Sequence, residues 1–277
     1  MSAFIGREAQ LQRLDALLAR VTADDGAKPG KAVLVRGRRR VGKSRLVEEF
    51  VERAGLPHVF FTASGRSTAE ELRLFAQEVA GSNLPGAALF RDVQVASWDA
   101  ALRLLAGAVP DDGGSVVVID ELPYLTNSDP GFEGTLQKMF DRELSRRRVL
   151  LLGVGSDLAM MENLNAYGRP FYQRATEMVV PPLSPAEVGA MLKLGPADAF
   201  DAFLVTGGLP LICDEWTRGL SLSEYLTAAF DDPTPPYWCE ASVPWLPSSR
   251  SRRKPERCCP PSAAASAPSP TSGLRGR

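Results

Sequence analysis

The sequence predicts an α/β domain built on a parallel sheet with helices on both faces, followed by a small all-helical module. Three observations carry that expectation. Short apolar runs rich in β-branched residues alternate with amphipathic helical spacing as far as residue 180, which is the pattern of strands buried on both faces. Strand signals stop after Pro181-Pro182, and only short helical patterns follow. The chain has 277 residues, 44% of them hydrophobic, enough for one large or two modest domains with a real core. The expected units are 1–180 for the α/β core, 181–232 for the helical module and 233–277 for a tail of different composition.

The elements follow in order. Leu11, Leu14, Leu17, Leu18 and Val21 recur at helical spacing between Glu8 and Val21, and Asp24-Asp25-Gly26 and Pro29-Gly30 break the pattern. Ala32-Val33-Leu34-Val35 is a short buried strand that enters Gly37. Helical spacing resumes from Lys43 to Ala54 through Leu46, Val47, Phe50 and Val51. His58 to Ala63 is the next strand, Thr68 to Ala80 and Trp98 to Val109 are helices, and Ser115 to Ile119 is a strand that ends in acid. Gly131 to Arg146 has helical spacing, and Val149 to Val154 is another buried strand. In the second module Ser184 to Leu194, Ala197 to Val205 and Leu220 to Phe230 are short amphipathic helices.

Charge and cysteine content narrow the function classes. Lys and Arg number 32 against 33 Asp and Glu, so the chain as a whole is no polycation for nucleic acid or anionic membrane. Glu240 to Arg277 holds seven basic and two acidic residues, a net +5 that leaves −6 on the rest. No apolar run approaches a membrane span, and Met1 to Leu11 lacks the layout of a signal peptide, so a cytoplasmic protein is expected. Cys213, Cys239, Cys258 and Cys259 form no CxxC spacing, which argues against disulfides and structural zinc. The lone His58 opens an apolar strand and is expected to be a partly buried structural residue.

Gly37-Arg38-Arg39-Arg40-Val41-Gly42-Lys43-Ser44 fits G-x-x-x-x-G-K-[ST] and lies between a strand and a helix. There successive backbone N–H groups and the helix dipole converge on phosphate oxygens, which sets it apart from an ordinary glycine turn. Gly37 and Gly42 let the backbone turn and approach closely; Lys43 reaches the β and γ phosphates, the Ser44 hydroxyl holds Mg²⁺, and Arg45 follows on the same helix. Val116-Val117-Val118-Ile119-Asp120-Glu121 supplies the second half. A buried strand ending in carboxylates offers Asp120 as the metal partner and Glu121 as the base for a water, the combination for hydrolysing ATP. The alternative is a solvated acidic strand end.

Phe4-Ile5-Gly6-Arg7-Glu8, the Gly37–Ser44 loop and Ile119-Asp120-Glu121-Leu122-Pro123-Tyr124-Leu125 together resemble the prokaryotic archaeal-type ATPases, AAA-like P-loop NTPases close to the STAND class. The resemblance continues through Gly155-Ser156, Met160-Met161-Glu162, Phe171-Tyr172-Gln173-Arg174 and Gly207-Gly208-Leu209-Pro210, and it covers about Phe4 to Phe230. It implies a P-loop ATPase core with a helical lid, ATP and Mg²⁺ as cofactors, and use of ATP as a conformational switch. Further, it implies that Phe4, Ile5, Gly6 and Arg7 lie against the adenine, that Ser156 is a polar sensor, and that Gly208, Leu209 and Pro210 bring the lid onto the nucleotide. Arg174 matches the family's arginine after a tyrosine–glycine pair, although Gln173 stands where that glycine would be. Arg169, in Tyr167-Gly168-Arg169, is a rival, and for either one the bland alternative is a surface arginine.

Beyond ATP and ADP, the expected partner is another protein or a second copy through the ATPase core, with no membrane. Arg38-Arg39-Arg40 and Arg146-Arg147-Arg148 invite a DNA reading, which the acidic body does not favour. A nucleotide-binding remnant without turnover is the other alternative. Family members often carry a further C-terminal effector, and this chain is expected to end before one.

The tail from Glu240 holds seven prolines and eight serines without periodicity, and it is expected to be disordered. Two accounts of it stand, a natural basic tail or a frameshift product. Trp245 to Pro261, back-translated with GC-rich codons and read from the third base, can spell LAAEFPVEAQARTVLSA, which has helical spacing.

Overall fold

Residues 4–23 and 28–231 of this computed structural model are described below; the turn expected at Asp24-Asp25-Gly26 and the 233–277 tail with its two accounts lie outside them. The chain runs α1 (Glu8–Thr22), β1 (Lys31–Arg36), α2 (Lys43–Ala54), β2 (His58–Thr62), α3 (Thr68–Gly81), α4 (Trp98–Ala108), β3 (Ser115–Asp120), α5 (Leu122–Ser128), α6 (Phe132–Arg142), β4 (Val149–Gly155), α7 (Leu158–Leu164) and β5 (Ala175–Val179). Four further helices follow, α8 (Pro185–Leu192), α9 (Pro196–Thr206), α10 (Pro210–Glu215) and α11 (Leu222–Asp231).

The strands form one parallel sheet in the order β2-β3-β4-β1-β5. Because every strand runs the same way, the loops after β1, β3 and β4 open on one edge. Alternation along β1 divides the core. Ala32 and Leu34 pack with Phe61, Val117, Ile119 and Leu151 beneath α3, α4 and α6, while Val33 and Val35 pack with Val118, Leu150 and Leu152 beneath α1 and α2. Leu14, Leu46 and Phe50 on those two helices are fully buried, each burial stabilising by about 1.5–3 kcal/mol. A separate core of Leu183, Val188, Leu192, Ala202, Cys213 and Trp216 lies among α8 to α11, with Trp216 stacked on Tyr225.

Several elements depart from the sequence expectation. β5 was not expected as a strand, because Ala175-Thr176-Glu177-Met178-Val179 lacks an apolar run. It is an edge strand on β1, where Glu177 takes hydrogen bonds from Arg36 and Asn165. The helix expected from Gly131 to Arg146 stops at Arg142, and a 3-10 turn at Leu144–Arg146 follows; there the Ser145 carbonyl accepts from Gly30 N–H, leading the chain into the sheet. The short helices α5, α7 and α10 are too brief for sequence periodicity to show. His58 is half-buried with its Nδ1 3.0 Å from the Leu56 carbonyl. Cys213 is buried, and burial pushes its thiol up. Among the described residues no helix is long and apolar enough to cross a membrane.

Candidate functional site

The turn from β1 into α2 contains Gly37 to Ser44. Gly37 passes so close to the Val180 carbonyl that a Cβ would stand 2.6 Å from it, and Gly42 caps α2 at φ 85°, a left-handed conformation that suits glycine. The Lys43 side chain folds back over the loop, its Nζ donating to the carbonyls of Gly37 and Arg38 at 3.1 Å each. Burial lowers the Lys43 pKa, while Glu121 and Asp120 work against that shift.

β4 lies between β1 and β3, so the residue after β4 falls between the glycine loop and the acidic strand end. Four side chains meet there. Ser44 Oγ donates to Asp120 Oδ2 at 2.8 Å, and the other Asp120 oxygen accepts from the Glu121 N–H at 3.0 Å. Ser156 Oγ lies 3.1 Å from both carboxylate oxygens of Glu121. Glu121 itself sits at φ 52°, an unusual backbone conformation for a non-glycine residue, and it turns β3 into α5. Asp120 is almost fully buried, and that burial raises its carboxyl pKa.

Two adjoining clefts, of about 670 and 430 Å³ including their open mouths, meet at Gly42 and Arg45. The smaller is lined by Arg39, Arg40, Lys43, Ser44, Glu121 and Ser156. Phe4, Ile5, Arg7, Val41, Met191 and Pro210 line the larger, so the N-terminal segment, the glycine loop and the helical module share one wall. Size and lining suit a ligand that is apolar at one end and anionic at the other. Gly6 stands beside this wall against the Glu187 side chain. Arg38 is exposed, and none of its side-chain contacts places it in either cleft.

Arg7 is buried at 4% exposure and links three segments. Its guanidinium donates to the Pro181 and Val41 carbonyls, the latter at 2.9 Å, and its N–H donates to Glu187 Oε1 at 2.8 Å. Glu187 also closes the capping box of α8 with Ser184. Burial alone would raise the Glu187 pKa, but the Ser184 and Arg7 backbone donors outweigh it and hold the carboxyl below its ordinary value. The capping box is legible as Ser184-Pro185-Ala186-Glu187, whereas the tie from Glu187 to Arg7 crosses 180 residues and has no sequence signal.

The two candidate arginines stand elsewhere. Arg174 Nε pairs with Asp141 at 2.9 and 3.0 Å, and Arg169 is bound to Glu133; both carboxylates belong to α6. Neither arginine lines the smaller cleft. The structure therefore brings together Lys43, Ser44, Asp120, Glu121 and Ser156 and leaves Arg174 apart from them.

A family model described as AAA ATPase domain matches residues 3–152. Among curated proteins, an uncharacterized protein of Methanocaldococcus jannaschii is 25% identical over 174 residues, which is 62% of this chain and 34% of that protein. The chain thus spans about a third of that relative's length. Among solved structures, the Walker-type ATPase of Pyrococcus abyssi matches with a TM-score of 0.56 and 20% identity, over 81% of this chain and 71% of that one. The ORC1 protein of Aeropyrum pernix, solved in complex with DNA, matches with a TM-score of 0.48 and 23% identity, over 70% of this chain and 50% of that one.

Proposed function

Because this chain belongs to the AAA ATPase domain family, we propose that it binds ATP with Mg²⁺ across the two adjoining clefts, hydrolyses the terminal phosphate, and uses that cycle as a conformational switch. The observation that carries the reading is the convergence of Ser44, Asp120, Glu121 and Ser156 beside Lys43.

The donor set suits Mg²⁺. Among the described residues no three His, Cys, Asp or Glu side chains converge on a cage, and Ser44 with Asp120 offers one hydroxyl and one carboxylate. Mg²⁺ characteristically takes one or two protein groups and completes its shell with water and substrate phosphates. When bound, it would neutralise charge on the phosphate oxygens. Lys43 supplies the protein's cation for the β and γ phosphates, and release from the Gly37 and Arg38 carbonyls frees its ammonium to do so. Glu121 accepts the proton of the attacking water at a carboxylate oxygen. Ser156, whose hydroxyl reaches both oxygens of that carboxylate, fixes its direction.

The switch follows from the shared wall. Pro210 at the start of α10 is in van der Waals range of the Gly42 position, so a ligand in the larger cleft touches the glycine loop and the helical module together. Contacts that exist only with the γ-phosphate in place would favour the closed arrangement, and hydrolysis would remove them.

Equilibrium binding and phosphate release on Lys43→Ala test the reading. ATP affinity or turnover should fall by at least tenfold, because the lysine is the buried cation of the loop. Unchanged binding and turnover would overturn the assignment. ATP binding without phosphate release by the unaltered chain would instead support a nucleotide-binding protein without turnover.

A further inference from the structure

We propose that Arg39 is the chain's own γ-phosphate arginine, held in place by Tyr124, so that this site discriminates nucleoside triphosphate from diphosphate without an arginine from elsewhere. The proposal deepens the ATP reading above and rests on it.

The P-loop pattern leaves Arg39 free to be any residue type, so an arginine there calls for an account. Arg39 lines the phosphate-side cleft with Lys43, Ser44, Glu121 and Ser156. Its Nη2 donates to Tyr124 Oη at 3.4 Å, and among the described residues no carboxylate lies in ion-pair range of it. Its charge adds to burial in lowering the Lys43 pKa, which places the two cations in one electrostatic neighbourhood. Lys43 stands beside the Glu121 and Asp120 carboxylates, whereas Arg39 has no ion-pair partner among the described residues, which leaves positive charge on the Arg39 side of the cleft for a polyanion.

Tyr124 is well placed to aim Arg39. It belongs to the first turn of α5, where its N–H donates to the Glu121 carbonyl at 2.9 Å, and its half-buried ring packs against the sheet core and Gly65. The turn that presents the proposed base therefore also holds the arginine. Of the other arginines near the site, Arg38 lines neither cleft and four have interactions of their own. Arg45 pairs with Glu48 and Glu49, Arg40 already has a partner, Arg169 is bound to Glu133, and Arg174 to Asp141. A planar guanidinium that forks onto two phosphate oxygens stabilises the terminal phosphoryl more than the inner ones when it stands at the far end of the cleft.

Binding of fluorescent ADP and of a non-hydrolysable ATP analogue, each with Mg²⁺, to the full chain tests this. Arg39→Ala should weaken the triphosphate analogue about tenfold, near 1.4 kcal/mol, while leaving ADP affinity within about twofold. Arg39→Lys should restore part of the preference, since a point charge replaces the fork but not its geometry. Tyr124→Phe should lose roughly threefold of the same preference through the missing hydroxyl. Arg39 is exposed, so its variants should melt with the parent chain, which keeps the comparison clean. An unchanged triphosphate-to-diphosphate ratio in Arg39→Ala, or an equal loss for both nucleotides, would overturn the proposal alone. A parent chain that binds neither nucleotide would overturn the ATP reading and this proposal with it.

Discussion

The Ser156 hydroxyl, just after β4, stands 3.1 Å from each carboxylate oxygen of Glu121, just after β3. Deleting the acid function should separate binding from chemistry. Glu121→Gln should keep Mg·ATP affinity while phosphate release drops by about 10²–10⁴, the usual range for a lost general base. Ser156→Ala should give a smaller loss of release, about tenfold, with binding intact, because the carboxylate remains but turns. Unchanged phosphate release in Glu121→Gln would remove the residue from that role.

Asp120 makes a prediction about pH. Its native pKa is raised by burial, so between the ordinary carboxylate value and the raised one the folded chain binds more protons than the unfolded chain. Stability should therefore fall as pH rises through that window. Asp120→Asn should unfold at higher urea concentration than the parent at pH 7 without Mg²⁺, with the gap closing toward acid. With saturating Mg·ATP the order should reverse, since a ligand at 100 times its Kd adds about 2.7 kcal/mol only to a chain that binds it.

Arg7→Ala would leave the Val41 and Pro181 carbonyls without their donor and Glu187 without the adjacent positive charge. Breaking a buried charged network by removing one partner costs about 3–5 kcal/mol at most. Here the backbone N–H to Glu187 survives, so a loss of about 2–3 kcal/mol in urea unfolding is expected. Arg7→Lys should recover only part, because a single ammonium cannot reach both carbonyls as the fork does.

Gly208 sits at φ +66° where a Cβ would stand 2.2 Å from the Leu183 carbonyl, and Leu183 N–H donates to the Gly208 carbonyl at 2.7 Å. Gly208→Ala should cost about 2–4 kcal/mol in thermal unfolding, from left-handed strain plus a backbone that must move. Since Pro210 follows two residues later on the cleft wall, ATP affinity should fall as well. A variant as stable as its parent would show that the segment yields without strain.

Much of the site was legible in the chain because its chemistry is local. Gly37 to Ser44 announces the loop through residue types at set spacing, and Val116 to Glu121 announces a buried strand ending in acid. Lys43, Ser44, Asp120 and Glu121 are named by those two segments, whereas Ser156 is named only by the family resemblance. Arg174 is named only by the family resemblance, with Gln173 in place of the family's glycine, while its position depends on Asp141, 33 residues away on α6.

The sequence by itself determined the elements whose periodicity is strong, β1 to β4 with the helices that cover them, since apolar spacing follows from each residue's own need to leave water. Tertiary structure decided the rest. β5 exists because β1 offers it an edge and Arg36 satisfies Glu177, neither of which its five residues reveal. Ser156 faces Glu121 because β4 enters the sheet between β1 and β3. Arg7 joins the glycine loop to Glu187 because folding brings together groups 180 residues apart, and pairing energy at that separation leaves no trace in local pattern.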